Sequence, residues 1–173
     1  RNEWNGLVVP ELLAAFITPN APEISDLLSR VSGVLAERTS DPSLQGYQAG
    51  RERALEIGAA IYDVLAGYGI RYVNPPASFE TDGQKIRPVE TVLGERWGTC
   101  LDLALTFSAA VEQAGLNPVI VLQQGHAFAG FLVTDSKLSD VVLTDSTMMS
   151  NLVRSNLLVT VDLTAAVEGR SLP

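Results

Sequence analysis

The chain has 173 residues but only one cysteine, Cys100, and one histidine, His126. A single cysteine excludes a disulfide within the chain, and one cysteine with one histidine cannot build a Cys/His zinc site. The sequence also lacks the clustered acidic pattern of a calcium-binding loop. We therefore expect neither a metal ion nor another cofactor.

Positive charge and long apolar runs are scarce as well. The 12 Lys and Arg residues are outnumbered by 20 Asp and Glu residues, for a net charge of -8. Binding to a phosphate backbone needs a basic surface, so direct contact with nucleic acid is disfavoured. No apolar run approaches the ~18 residues of a membrane span, and the N-terminus lacks the basic-then-apolar order of a signal peptide. We expect neither nucleic acid nor a membrane as a direct partner.

What the chain does contain is enough apolar residues for one domain, with 46% hydrophobic residues. Helical periodicity predicts helices over residues 22–39, from Gly46 to Gly67 or Gly69, and from Cys100 to Gly115, with a short helix over 88–93. Extended segments are predicted at 70–73, 118–122, 126–133, 141–144 and 157–161. Helices first and strands last indicate an α+β fold with a mainly antiparallel sheet. Because the chain starts at Arg1, we expect a single domain excised from a longer protein, with a helical part at 1–75 and a core at 76–173.

Cys100 has the local sequence of a reactive thiol. Thr99 is a plausible N-cap and Asp102 a plausible capping-box partner, which places Cys100 in the first turn of a helix. The positive end of the helix dipole favours a thiolate there, and Gly98 leaves room for a substrate backbone. The alternative is a small buried apolar residue on the same helix face as Leu103.

His126 opens a predicted strand and is a candidate base for Cys100. A histidine base needs an acceptor on its other ring nitrogen. If residues 126–133 and 141–144 form a hairpin, Asp145 lies at the same end of the neighbouring strand and can orient His126. The alternative is a structural histidine.

Three short stretches resemble the Cys, His and Asp motifs of the transglutaminase-like, papain-like cysteine hydrolase superfamily. They are residues 98–100, 125–128 and 144–147, within a region from about 84 to 147. The resemblance implies N-terminal helices and a central Cys-bearing helix packed on a mainly antiparallel sheet. Phe128 stands where the family often has Trp, and Ser146 stands where it commonly has Pro.

A narrower likeness covers nearly the whole chain. It resembles a transglutaminase-like module embedded in large bacterial helicase-related ATPase proteins, in stretches at 2–4, 13–16 with 19–20, 46–48, 76–80, 83–87 and 99–103. This implies a bacterial, cytoplasmic protein whose partners include the other domains of its parent. The absence of disulfides fits that compartment.

The sequence therefore predicts cysteine-dependent acyl transfer or amide hydrolysis on a peptide or protein amide, as in a protease, deamidase or transglutaminase. The expected catalytic residues are Cys100 as nucleophile, His126 as acid and base, and Asp145 as its orienting partner. The Cys100 backbone N–H is one expected oxyanion donor, and the further candidates for oxyanion or substrate binding are Gln84, Trp97 and Phe128. The alternative is a catalytically inactive transglutaminase-like interaction module within a helicase-related ATPase, consistent with Trp4, the acidic balance and the apolar composition.

Overall fold

The computed structural model describes residues 10–74 and 83–167, together with the backbone of residues 3–4. The helices in these ranges are α1 (Pro22–Thr39), α2 (Arg51–Gly67), α3 (Val89–Glu95), α4 (Cys100–Gln113), α5 (Ser146–Arg154) and α6 (Leu163–Val167), with 3₁₀ segments at Pro10–Phe16 and Gly46–Ala49. The strands are β1 (Glu3–Trp4), β2 (Arg71–Tyr72), β3 (Gln84–Lys85), β4 (Trp97–Gly98), β5 (Pro118–Gln123), β6 (His126–Leu132) and β7 (Leu158–Val161).

The largest sheet has three antiparallel strands in the order β5-β6-β7. A two-residue turn joins β5 to β6, and Gly125 supplies its positive φ of 74°. In the resulting register Gln123 pairs with His126 and Ala129 pairs with Val161. Two shorter pairings accompany this sheet: β1 with β3, antiparallel, and β2 with β4, parallel. His126 therefore lies at the end of the central strand.

Helix α4 forms the centre of the molecule, because its residues are buried from Cys100 through Val111. It packs against β6, where the Phe107 and Phe131 ring centroids are 6.5 Å apart. Helices α1 and α2 contribute their apolar faces to the same core. The chain is thus a mixed α+β protein with a small antiparallel sheet, as the sequence predicts.

The predicted helices are confirmed, with α1 spanning Pro22–Thr39 and α4 beginning at Cys100. The predicted strand at 141–144 is wrong: these residues form a bend followed by irregular backbone outside the sheet, and Val141 is 84% exposed. Strand β7 takes its place beside β6, because Leu158 and Val161 can bury their side chains there.

Some sequence-based expectations fall on parts of the chain for which no structure is described. The side chain of Trp4 and residues 77–82 of the irregular connection at 77–87 lie outside the described residues. Within the described ranges, no helix combines the length and the apolar character needed to cross a bilayer.

Candidate active site

Cys100 is the first residue of α4, and its position is set by a complete capping box. The Thr99 hydroxyl accepts the Asp102 backbone N–H at 3.3 Å, and the Asp102 carboxylate accepts the Thr99 backbone N–H at 2.9 Å. The predicted cap is confirmed. Cys100 is buried and packs in a small apolar cluster with Leu105 and Ala127. Since Ala127 directly follows His126, this cluster brings the start of α4 to the start of β6.

Asp102 carries a network that fixes this helix start. Its side chain is fully buried and accepts hydrogen bonds from the Arg87 backbone N–H and the Arg87 guanidinium, both at 2.8 Å. The guanidinium carbon lies 3.8 Å from the centroid of the Trp97 ring. A Cβ on Gly98 would come within 3.2 Å of the Asp102 Cβ. The space left by Gly98 therefore accommodates Asp102, whereas the sequence suggested that it accommodates substrate.

Gln84 and Trp97 each have a hydrogen-bond partner other than Cys100. Gln84 is buried, and its Nε2 donates to the Thr99 hydroxyl at 3.0 Å. The Trp97 indole N–H donates to the exposed Glu95 carboxylate at 2.7 Å. Gln84 therefore stabilises the N-cap residue of the helix, and the Trp97 ring packs against the Arg87 guanidinium.

His126 is paired with a carboxylate that the sequence analysis did not select. Its Nε2 lies 3.2 Å from Oδ2 of Asp162, the residue that follows β7. A carboxylate only accepts, so in the neutral ring Nε2 carries the proton and Nδ1 the lone pair. The Phe128 ring stacks beside the imidazole with its centroid 6.2 Å away. His126 thus has an orienting partner and a nitrogen free to accept a proton.

Asp162 is held in the ionised form by its surroundings. Partial burial by itself raises the pKa of Asp162, but hydrogen bonds from the Thr164 hydroxyl and backbone N–H, together with His126, outweigh burial and leave the pKa below its ordinary value. The Thr164 bonds go to Oδ1, at 2.7 and 3.0 Å, so Oδ2 remains for His126.

Asp145 lies elsewhere and has another role. It is the exposed N-cap of α5, and its Oδ1 accepts the backbone N–H groups of Thr147 and Met148 at 2.8 and 3.2 Å. The structure therefore does not bring Asp145 to His126. The expectation depended on a hairpin with residues 141–144, and that hairpin does not form.

Tyr72 is a further member of the site that sequence reasoning missed. Strand β2 runs parallel to β4 with Tyr72 opposite Gly98, two residues before Cys100, and the neighbouring Cys100 adds to the effect of burial in raising the pKa of Tyr72. Asp162 is also close enough to act on Tyr72 electrostatically, because α6 packs against β2. The short segment at 70–73 gave no signal beyond a possible strand.

The structure thus brings together a cluster of four side chains: Tyr72, Cys100, His126 and Asp162. Among the described residues, no hydrogen bond joins the Cys100 thiol directly to the His126 ring; Asp162 pairs with His126, and Tyr72 is the residue on which both Cys100 and Asp162 act electrostatically. Catalytic hydrogen bonds in ligand-free sites are often long and tighten when substrate binds. In the described part of the chain, no group of three or more His, Cys, Asp or Glu residues is arranged to hold a metal ion.

No protein-family model, curated protein or solved structure matches the chain. The arrangement of these four side chains is therefore the basis for a functional conclusion.

Proposed function

We propose that the chain is a cysteine-dependent acyltransferase or amide hydrolase in which Cys100 is the nucleophile and His126 the base. Asp162 takes the orienting role that the sequence analysis gave to Asp145. The observation that carries this proposal is the His126–Asp162 pair, with Nε2 and Oδ2 3.2 Å apart, beside the helix start that bears Cys100.

The position of Cys100 supports activation of its thiol. The first backbone N–H groups of a helix have no intrahelical acceptor, and the helix dipole places partial positive charge there. Both stabilise negative charge that develops close to the helix start. The Cys100 N–H is the proposed donor to an oxyanion that forms next to the sulfur.

The chemistry follows from these positions. His126 Nδ1 takes the proton from Cys100, and the sulfur attacks the carbonyl carbon of an amide. The C–N bond then breaks, and the His126 imidazolium gives its proton to the leaving amine. The product is a thioester on Cys100, which water resolves in hydrolysis or a second amine resolves in transfer. Asp162 fixes the tautomer and stabilises the imidazolium between these steps.

The local architecture supports assignment of the core to the transglutaminase-like, papain-like superfamily. A helix that begins with Cys100 packs on an antiparallel sheet, one strand begins with His126, and the next strand is followed by Asp162. With that assignment, the substrate is a peptide or protein amide. The narrower likeness extends the proposal to a bacterial, cytoplasmic parent with a helicase-related ATPase region.

A second candidate is a non-catalytic interaction module with the same fold. It is favoured by the burial of Cys100 and by the missing direct bond to His126 among the described residues. Exposed apolar side chains on the connection from β6 to β7 also favour it, namely Val141, Val142, Val153 and Leu157. Such a module needs no reactive thiol, so thiol reactivity separates the two candidates.

The test is the pH dependence of Cys100 alkylation by iodoacetamide in the wild type and in His126→Ala. For an activated pair, we expect fast labelling that persists below pH 7, and at least a tenfold slower rate at pH 6 in His126→Ala. A wild-type midpoint near ~8.5 that the histidine variant leaves unchanged would favour the interaction module.

The orienting role is tested with a matched pair of variants, Asp162→Asn and Asp145→Asn. Each aspartate accepts backbone N–H groups at the start of a helix, and Asn serves that role as well as Asp does. Only Asp162→Asn removes negative charge from His126, so we expect it alone to slow labelling below pH 7. Equal behaviour of the two variants would refute the role of Asp162.

A further inference from the structure

The hydroxyl group of Tyr72 is placed against the reacting sulfur by the backbone of two strands. The Arg71 N–H donates to the Arg96 carbonyl and the Val73 N–H donates to the Gly98 carbonyl, both at 2.9 Å. These bonds set Tyr72 opposite Gly98, two residues before Cys100. In this register the Tyr72 side chain is close enough to Cys100 for that residue, after burial, to raise the pKa of Tyr72.

We propose that Tyr72 is a fourth catalytic residue of this site, whose hydroxyl donates a hydrogen bond to the Cys100 sulfur and stabilises the thiolate. The proposal rests on the proposed function, because a thiolate needs such a donor only if Cys100 reacts. Gln84 and Trp97, the other side-chain donors near this helix start, are hydrogen-bonded to Thr99 and Glu95.

The electrostatic surroundings keep the Tyr72 hydroxyl protonated. Burial, negative charge on the Cys100 sulfur and the Asp162 carboxylate together raise the pKa of Tyr72 to about 12. The titratable groups that act on it are thus Cys100 at the start of α4 and Asp162 ahead of α6, and Asp162 is itself paired with His126. At neutral pH the phenol is a donor, and it does not compete with His126 for the thiol proton.

The hydrogen bond acts at two points of the reaction. Before attack it stabilises negative charge on sulfur, and it weakens as that charge passes into the new C–S bond. When the thioester is cleaved, the C–S bond breaks and the electron pair returns to sulfur, where the hydroxyl receives it. The proton stays on the phenol oxygen throughout, so His126 still performs every proton transfer.

The test is the alkylation profile of Tyr72→Phe, which removes the hydroxyl and keeps the ring. Tyr72 is 36% exposed, so water replaces part of the lost hydrogen bond. We expect the midpoint of the profile to rise by about one pH unit, which is a tenfold fall in the thiolate fraction at a fixed pH below the midpoint. Tyr68→Phe is the matched control, because Tyr68 is a partly buried tyrosine whose ring packs against Arg30. We expect it to leave the midpoint unchanged.

The outcomes separate this inference from the proposed function. If His126→Ala shifts the profile and Tyr72→Phe does not, the role of Tyr72 is refuted and the proposed function stands. If Tyr72→Phe shifts the profile and His126→Ala does not, the hydrogen bond is supported and the base is wrong.

A reciprocal measurement checks the contact without any alkylating reagent. The titration is followed by absorbance at 295 nm in the wild type and in Cys100→Ala, each with and without Tyr72→Phe. The difference that Tyr72→Phe makes in each background follows Tyr72 alone. In Cys100→Ala the negative charge beside the phenol is gone, so the Tyr72 phenolate should form at lower pH than in the wild type. An unchanged titration would overturn the proposal.

Discussion

Replacement of Asp102 by Asn tests whether the buried network at the start of α4 holds the site together. Asn keeps the size of the side chain but exchanges one acceptor oxygen for a donor. In the wild type Oδ1 accepts the Arg87 N–H, while Oδ2 accepts the Thr99 N–H, the Thr99 hydroxyl and the Arg87 guanidinium. Either orientation of the new amide turns an N–H toward another donor.

The size of the effect follows from burial. Asp102 is 0% exposed and the Arg87 side chain only 17% exposed, so water cannot replace the lost acceptor. An unpaired buried N–H costs about 1–3 kcal/mol, and removal of one member of a buried ion pair costs about 3–5 kcal/mol. Because these two costs overlap, we expect a loss of about 3–4 kcal/mol in the free energy of unfolding.

The assay is urea unfolding, with the midpoint and the slope compared between variants. Asp63→Asn is the control, because its ion pair with Arg38 joins side chains that are 32% and 51% exposed. We expect this control to lose less than about 1 kcal/mol. If Asp102→Asn lost no more than the control, the network would not be a stabilising feature of the fold.

Two further predictions concern the core and the tyrosines. A Cβ on Gly58 in α2 would overlap the buried Phe131 ring, whereas one on Gly33 in α1 would meet nothing within 4 Å. Gly58→Ala should therefore destabilise the protein by about 1–3 kcal/mol, and Gly33→Ala should stabilise it by about 0.5–1 kcal/mol, as measured by thermal unfolding. A gain in Gly58→Ala would show that Phe131 can move aside. The pKa of each of the 4 tyrosines is raised from its ordinary value of 10, chiefly by burial. A raised folded-state pKa contributes stability that is complete below pH 10 and is lost as pH rises toward the folded value, about 12 for Tyr72. The urea midpoint should fall across this range, and by less in Tyr72→Phe; an equal fall in both proteins would contradict the assignment.

Local sequence was sufficient to predict the elements that local interactions stabilise. Helix α1 has apolar residues at helical spacing after Pro22, and α4 has its own cap in Thr99 and Asp102. Each signal lies within a few residues of the element it defines. The start of α4 at Cys100, and with it the position of the thiol, could therefore be read from the sequence.

The partner of His126 could not be predicted in this way, because strand pairing depends on contacts between residues that are far apart in the sequence. Residues 141–144 and 158–161 are both short apolar stretches followed by an aspartate, and the sequence does not say which one pairs with β6. Asp145 followed by Ser146 and Thr147 is typical of a helix N-cap, and a helix begins there in the structure. Tyr72 depends in the same way on a pairing, between β2 and β4, that only the folded chain reveals.

The pairing of β6 with β7 also determines which part of the sequence can vary without disturbing the site. His126 and Asp162 are 36 positions apart, but the ladder aligns them through Ala129 opposite Val161 and through the Val133 N–H bound to the Leu157 carbonyl. The connection between these strands, which includes α5, contributes no side chain to the cluster of four. The entropic cost of closing such a loop grows by only about 0.6 kcal/mol for each doubling of its length. Insertions and deletions in this connection should thus be tolerated in evolution or engineering while the ladder keeps the geometry of the site unchanged.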